Sequence, residues 1–474
     1  MSPAFALDPG VLIQELQLPK IALNLNVTFA TSDLRIPDSL DPEGDVAKVQ
    51  EELKAGERPD LWLRLARLQQ QLGRYDDAAT SYQKAAEGYD KLLQAEPQNA
   101  RAHTGYAEVL VALSRDEDAA TQIELAMVAD ETLWKPHELA ADLHAKHAVM
   151  AHSLNMPQLM RGHLEAAESE AKEALRLAPD DPRPQVMLFI AKWLPEVLEL
   201  RADPKSGLKR LGAFEEMSEI LKKASALAPG FPRLAEYAVS AKMMPFFTSQ
   251  MSGGLDKPLW DSLDDAQRRV LTSCRDDYLK LSEQIPSLKA EALTFAAVAC
   301  FSMADKKSMY EHLRAAADAD PKSTTALEVM VGFLAQEGNW AQALLASEEI
   351  KTRKPSGRSY TWLGRIYAEQ RQWKAAEESF RMATNYDDSS SAANLGLGVV
   401  LLKQGASPVE ALLPLQAAWE KSQNEPEVLL AWGTCLALLG EVDEGRRMVK
   451  QAISMWPPSE GLQRVAKELG LDAQ

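Results

Sequence analysis

Apolar residues recur at spacings of three and four along most of the chain, and this spacing predicts amphipathic helices. The pattern is clearest at Ser356–Asp388, where it predicts two short helices joined by a turn. Small residues allow the two helices to approach closely, and one such pair cannot bury both of its faces without neighbours. The inner-face positions are Tyr360, Leu363, Gly364 and Tyr367 on the first helix and Trp373, Ala376, Phe380 and Ala383 on the second.

The same helix-pair pattern repeats along the chain. It is regular at 59–130 and 290–457, and it becomes irregular between about 131 and 289, where the predicted helices are longer. A proline often follows the second helix, as Pro97 and Pro321 do, because its fixed φ ends the helix and sets the turn into the next pair. Repetition of this kind predicts a one-dimensional array of stacked helix pairs.

The stretch Ser356–Asp388 resembles the tetratricopeptide repeat, whose signature is W-x2-L-G-x2-Y followed by Ala, Phe, Ala and Pro. Tyr360 stands in the place of the Trp and Asp388 in the place of the Pro. The resemblance implies an all-α fold, a right-handed superhelical solenoid of stacked antiparallel helix pairs. It also implies a scaffold or adaptor that binds a partner protein or an extended peptide in its concave groove.

The pattern divides the chain into five predicted segments. The first segment is not repeat-like, and its alternating stretch Ile21–Ala30 is rich in strand-forming residues. We expect it to form an arm that either packs on the first repeats or lies in the concave groove as an internal ligand. The segments are an N-terminal arm at 1–45, repeats at 46–247, a loop or hinge at 248–260, a second array at 261–457 and a capping helix at 458–474.

The resemblance also predicts which residues line the groove, because the first helix of each repeat forms the concave surface in this family. The late positions are mostly apolar, and an exposed apolar concavity is typical of an interaction site. Some family members hold a peptide's terminal carboxylate with Lys and Asn; here Arg67, Arg358 and Arg365 are the comparable cations. An alternative is burial of these positions by superhelix curvature or by the arm. The predicted partner-binding residues are Arg67, Thr361, Arg365, Leu395, Val399, Leu402, Leu430, Thr434 and Leu438.

A second candidate contact surface is the apolar run beside the predicted hinge. It comprises Met243, Met244, Phe246 and Phe247, with Met251 and Trp260 nearby. The alternative is that this run folds down on neighbouring helices.

Five of the seven histidines fall close together, at His137, His144, His147, His152 and His163. On a helix His144 and His147 are one turn apart, close enough to share a metal ion. A helical metal- or haem-binding protein is therefore an alternative function. No Asp, Glu or Cys is placed as a further ligand and no H-E-x-x-H motif occurs, so the sequence predicts no cofactor.

Composition narrows the classes of function further. The formal net charge is −17, with 69 acidic and 52 basic residues, which disfavours binding to nucleic acid or to anionic membranes. The three cysteines are widely spaced and indicate neither a disulfide framework nor a zinc site. No nucleophile elbow or phosphate loop occurs, so we expect no enzymatic activity. An accessory or regulatory subunit of an enzyme complex is a third interpretation.

The expected cellular location is inferred from the first thirty residues. Asp8, Glu15 and Lys20 interrupt the first thirty residues, so no secretory signal and no membrane-inserted segment are expected. We therefore expect a cytoplasmic protein.

Overall fold

The computed structural model describes residues 13–18, 34, 36–253, 257–386, 390–455, 463–465 and 467. Its described residues form α-helices, short 3-10 helices and the turns between them, with no strand among them. The predicted strand at Ile21–Ala30 lies outside the described residues.

The chain divides into two compact units. The N-terminal unit is Val27–Met309, and the C-terminal unit joins the first residues of the chain, described at 13–18, to the residues from Tyr310 onward. The helices of the N-terminal unit are α1 (Pro42–Ala55), α2 (Pro59–Gln71), α3 (Tyr75–Ala95), α4 (Ala100–Ala112), α5 (Asp116–Ala129), α6 (Trp134–Ser153), α7 (Pro157–Leu177), α8 (Pro182–Ala202), α9 (Leu211–Leu227), α10 (Arg233–Gly253), α11 (Asp265–Gln284) and α12 (Lys289–Ser302).

The division between the units falls within α13 (Lys306–Ala319). Across the described residues, no helix has both the length and the apolar character needed to cross a bilayer. The remaining helices belong to the C-terminal unit and are α14 (Thr325–Gln336), α15 (Trp340–Arg353), α16 (Gly357–Glu369), α17 (Trp373–Thr384), α18 (Ser391–Lys403), α19 (Pro408–Lys421), α20 (Pro426–Leu438) and α21 (Val442–Met455).

Local sequence signals set the helix ends. Pro59 and Pro426 each stand in the first turn of a helix, where the missing N–H is not needed. Ser356 begins α16 with a capping box, in which its side chain accepts from the Ser359 N–H. The turn inside a helix pair takes one residue in left-handed conformation, which Gly73 fills with φ of 73° and Arg371 with φ of 58°.

The stacked array is held together by large side chains set against small ones. Phe380 on α17 is fully buried, and its ring contacts both neighbouring first helices. A Cβ added at Gly364 of α16 would lie 2.8 Å from the ring, and one added at Gly396 of α18 would lie closer still. Each helix thus packs on its pair and on the next pair, as the inner-face pattern at 356–388 predicts.

The predicted segment boundaries differ from the structure in three places. The first helix begins at Pro42 rather than near 46, because Asp41 caps it. Helix α10 continues to Gly253, so 248–253 is helical rather than part of a loop, and Ser252 donates a hydrogen bond to the Thr248 carbonyl within that last turn. The division into units also lies later in the chain than the predicted hinge at 248–260. Of the predicted capping helix at 458–474, residues 463–465 and 467 are described, and these are helical.

Candidate functional site

A short segment from the beginning of the chain lies against the repeats of the C-terminal unit. Leu16 is only 3% exposed, and Leu18 is also buried, whereas Gln17 between them faces solvent. Both leucines belong to one apolar cluster with residues of α16, α18 and α20, and this cluster includes Ala368 and Leu402. The segment 13–18 therefore contributes to the core of this unit.

Polar contacts hold the same segment at the two residues that precede Leu16. The Lys403 ammonium, at the end of α18, donates a hydrogen bond to the Gln14 carbonyl at 3.2 Å. The Arg464 guanidinium donates to Glu15 Oε1 at 2.8 Å, and the neighbouring Val465 is buried in the apolar cluster. These contacts fix the segment between the middle and the end of the repeat array.

A cavity of about 560 Å³ lies beside the segment. Its walls come from the segment and from the first helices of two successive repeats, including Arg365 and Glu369 of α16 and Lys403 of α18, with Trp373 of α17. Arg365 forms an ion pair with Glu369 at 2.6 Å. Burial lowers the pKa of the Arg365 guanidinium and of the Lys403 ammonium, because removal of water disfavours the charged forms.

Most of the predicted groove residues are not exposed, so they do not form the open apolar concavity of the first interpretation and agree with the alternative of buried positions. The Thr361 side chain is buried and donates to the Gly357 carbonyl, while Leu438 is partly buried. Arg365 is the predicted groove residue of this unit that lines the cavity. Four of the predicted residues belong to the same apolar cluster as Leu16 and Leu18 of the arm. The predicted positions that are buried are Leu395, Val399, Leu402, Leu430 and Thr434.

Arg67, the predicted groove residue of the N-terminal unit, also meets the arm. Its guanidinium donates to Glu108 at 3.2 Å and lies 3.6 Å from the Asp38 carboxylate. Leu34 is fully buried in an apolar cluster with residues of α8 and α9, and the Ser39 carbonyl accepts a hydrogen bond from the Gln71 side chain. Leu34 and residues 36–39 of the arm therefore pack on the N-terminal repeats, while residues 13–18 pack on the C-terminal ones.

The predicted second contact surface lies mostly in the interior. Met243 and Phe246 are buried within α10, and Met244 and Phe247 are partly buried. Helix α10 lies between α9 and α11, so apolar residues on both of its sides have partners. Met251, named with this surface, is 44% exposed. A group of exposed apolar side chains lies at the junction of α6 and α7 and comprises Val149, Met150, Leu154, Met156 and Leu159.

The predicted histidine cluster is assembled only in part. His163 of α7 joins His144 of α6, with their Nδ1 atoms 3.1 Å apart, and the His147 ring centroid lies 5.3 Å from that of His163. His137 turns away to the Glu170 carboxylate at 2.6 Å, while His152 is exposed. Across the part of the chain that the structure describes, no group of three or more His, Cys, Asp or Glu side chains is placed to hold a metal ion.

Sequence reasoning gave the N-terminal arm as one alternative occupant of the groove, but it did not identify residues 13–18 within the arm. It also did not assign Lys403 or Trp373 to the site. Helical register could have placed Lys403 at the site, because this residue follows Val399 by one helical turn on the predicted groove face. The sequence signal for residues 13–18 is weaker, because it consists only of two leucines, Leu16 and Leu18, that alternate with polar residues.

Comparisons with known proteins place these repeats in a family. The tetratricopeptide repeat sequence model matches residues 63–132 and 362–426, and no curated protein sequence matches the chain. Similar solved structures include yeast Tom70, with a TM-score of 0.40 and 13% identity over 91% of this chain and 92% of that one. YrrB, described as a TPR protein with an unusual peptide-binding site, has a TM-score of 0.33 and 18% identity over 40% of this chain and 97% of its own.

A third similar structure is the Cut9–Hcn1 hetero-tetramer of the APC/C. It has a TM-score of 0.33 and 13% identity, over 89% of this chain and 86% of that one. The two regions matched by the family model lie one in each compact unit and coincide with regular helix pairs. The resemblance stated from the sequence is confirmed, with tetratricopeptide repeats at residues 63–132 and 362–426, one region in each of the two units.

Proposed function

We propose that this chain is a non-enzymatic scaffold that binds a partner protein or an extended peptide on the first-helix face of its C-terminal repeats. One observation carries the proposal: a short segment, residues 13–18, already lies on that face with two leucines buried and a cavity beside it. A surface that holds one short segment through alternating leucines and a hydrogen bond to its backbone has properties that peptide recognition requires.

The chemistry of the reactive side chains supports a binding rather than a catalytic role. Burial raises the pKa of the Cys300 and Cys435 thiols to about 11 and that of Cys274 to about 12, so the nucleophilic thiolates are scarce at neutral pH. Proteins of this repeat family serve as non-catalytic scaffolds. The interpretation as an accessory subunit of an enzyme complex is compatible with this proposal, because it requires the same binding activity with a particular partner. Among the described residues, no group of three or more metal-ligating side chains supports the metal-binding alternative.

Affinity capture from the source cells tests this proposal with a matched pair of charge reversals in the full-length chain. Lys403→Glu places a carboxylate in the cavity, whereas Lys450→Glu makes the same change at an exposed position outside it. We expect proteins captured by the wild type and by Lys450→Glu to be depleted by about tenfold with Lys403→Glu. Equal capture by all three folded chains would contradict the proposed site.

A further inference from the structure

We propose that the cavity beside residues 13–18 is a subsite for an acidic side chain of a leucine-containing peptide, and that residues 13–18 occupy the adjoining face in competition with that peptide. This inference rests on the proposed binding function and names the chemistry of its partner. It makes the N-terminal segment an internal competitor for the site.

The charge balance of the cavity is the first argument for an acidic ligand. Its walls carry three cations, Arg365, Arg371 and Lys403, but one carboxylate, Glu369, which is already paired with Arg365. Lys403 donates to the neutral carbonyl of Gln14 and forms no ion pair with a carboxylate of the described residues. A local excess of positive charge stands out in a chain whose net charge is −17.

Desolvation strengthens this argument. Arg365 and Lys403 are both withdrawn from water, and the depressed pKa of each shows that nearby carboxylates do not offset the loss of hydration. A buried cation gains most from a partner that supplies negative charge and hydrogen-bond acceptors together. A carboxylate entering the cavity would supply both to Lys403.

The apolar surroundings specify the rest of the ligand. Leu16 and Leu18 occupy buried positions two residues apart, and Trp373 and Ala368 form part of the cavity wall. A competing peptide therefore needs aliphatic side chains with the same spacing. Its acidic residue belongs two positions before the first leucine, because Gln14 lines the cavity and its carbonyl meets Lys403.

The polar contacts that hold residues 13–18 are weak enough for a competing peptide to displace the segment. Its ion pair joins Glu15 to an Arg464 side chain that is mostly exposed, and such pairs contribute little to stability. Gln14 and Gln17 face solvent. A covalently attached competitor of modest affinity lowers the apparent affinity of a free peptide by the fraction of time that it occupies the site.

Fluorescence anisotropy with a labelled peptide of residues 11–20 tests the competition. The full-length chain is compared with a full-length Leu16→Asp/Leu18→Asp variant, whose own segment is disabled. We expect the peptide to bind the variant about tenfold more tightly than the wild type. Equal binding to both chains, or no binding to the folded variant, would overturn the competition.

A Gln14→Glu version of the same peptide tests the acidic subsite. We expect it to bind the disabled-segment variant several-fold more tightly than the parent peptide, and we expect Lys403→Gln in that variant to abolish the gain. Lys450→Gln is the matched control and should preserve the gain. No gain with Gln14→Glu, or a gain that survives Lys403→Gln, would overturn the subsite. These outcomes are independent of capture from cells, which can fail even if the peptide binds.

Discussion

The Lys403 ammonium lies 3.2 Å from the backbone carbonyl oxygen of Gln14, although 389 positions separate the two residues along the chain. Arg464 makes a second contact of this kind with Glu15. Both pairs bring the beginning of the chain onto the repeats near its end. The C-terminal unit is therefore completed by a segment that is remote in sequence.

Leu16 should be the main anchor of this segment. Leu16→Asp buries a carboxylate without a partner, so the segment should leave the repeats rather than accept that cost. We expect backbone amides at 14–18 to exchange with deuterium at least tenfold faster, as followed by mass spectrometry. Gln17→Asp makes a change of the same charge at an exposed position and should leave the exchange rates unchanged. Equal rates in the wild type and Leu16→Asp would show that Leu16 is not an anchor.

Gly396 should not tolerate a side chain. A Cβ at this position meets the ring of Phe380, and overpacking of this kind costs about 1–3 kcal/mol. We therefore expect Gly396→Ala to lower the free energy of unfolding, measured with urea. Gly162→Ala is the matched control in α7, where an added Cβ meets nothing within 4 Å, and it should stabilise the chain by about 0.5–1 kcal/mol.

A second substitution tests whether contact with the Phe380 ring is the reason that Gly396→Ala destabilises the protein. Phe380→Leu removes ring atoms that a Cβ at Gly396 would meet, so the cost of Gly396→Ala should be smaller in this background. An equal cost in both backgrounds would show that Phe380 is not the reason for glycine at 396.

The buried Glu236 carboxyl should make stability depend on pH. Burial raises its pKa from the ordinary 4.5 to about 7, although the Ser240 hydroxyl donates to it and Arg233 lies 3.5 Å away. The folded state therefore binds the proton more tightly than the unfolded chain, and this contribution to stability is lost as the pH rises from 4.5 to about 7.

Glu236→Gln removes this titration and keeps the shape of the side chain. The free energy of unfolding of the variant should rise relative to that of the wild type over this pH interval, by an amount on the order of 3 kcal/mol. Urea unfolding at several pH values measures the difference. A constant difference from pH 4.5 to pH 8 would contradict the raised pKa.

Two apolar residues of the N-terminal unit should differ in how much their truncation lowers stability. Phe246 is fully buried, so Phe246→Ala should lower the free energy of unfolding by about 3–5 kcal/mol. Leu154 is 63% exposed at the junction of α6 and α7, so Leu154→Ala should change it by less than about 0.5 kcal/mol. Thermal unfolding compares the two, and similar losses would contradict the assigned burial.

The repeat fold was predictable because its determinants are local. Phe380 and Gly364 lie sixteen positions apart, and their sizes fit each other within one helix pair. The spacing that predicted them is visible in the sequence. Arg365 was also predicted on the groove face, because helical register alone determines which side of α16 it occupies.

Sequence reasoning left the cover of the groove open between two alternatives, an arm on the first repeats and an arm in the groove. Register places Leu402 on the first-helix face, but it contains no information on whether another segment lies over that face. Leu16 reaches the same cluster from nearly the other end of the chain, and no periodicity connects the two positions. The burial of Phe246 depends likewise on helices on both sides of α10, which an apolar run in one helix does not specify.

The position of residues 13–18 on the C-terminal repeats is the central claim, and a photo-crosslink from Arg371 tests it most directly. Arg371 is exposed and lines the cavity beside the segment, so a benzophenone amino acid at this position can reach the segment without disturbing the core. Irradiation of the purified full-length chain, followed by mass spectrometry, should yield intramolecular crosslinks between position 371 and residues 13–18. Crosslinks to other parts of the chain with none to residues 13–18 would contradict the account.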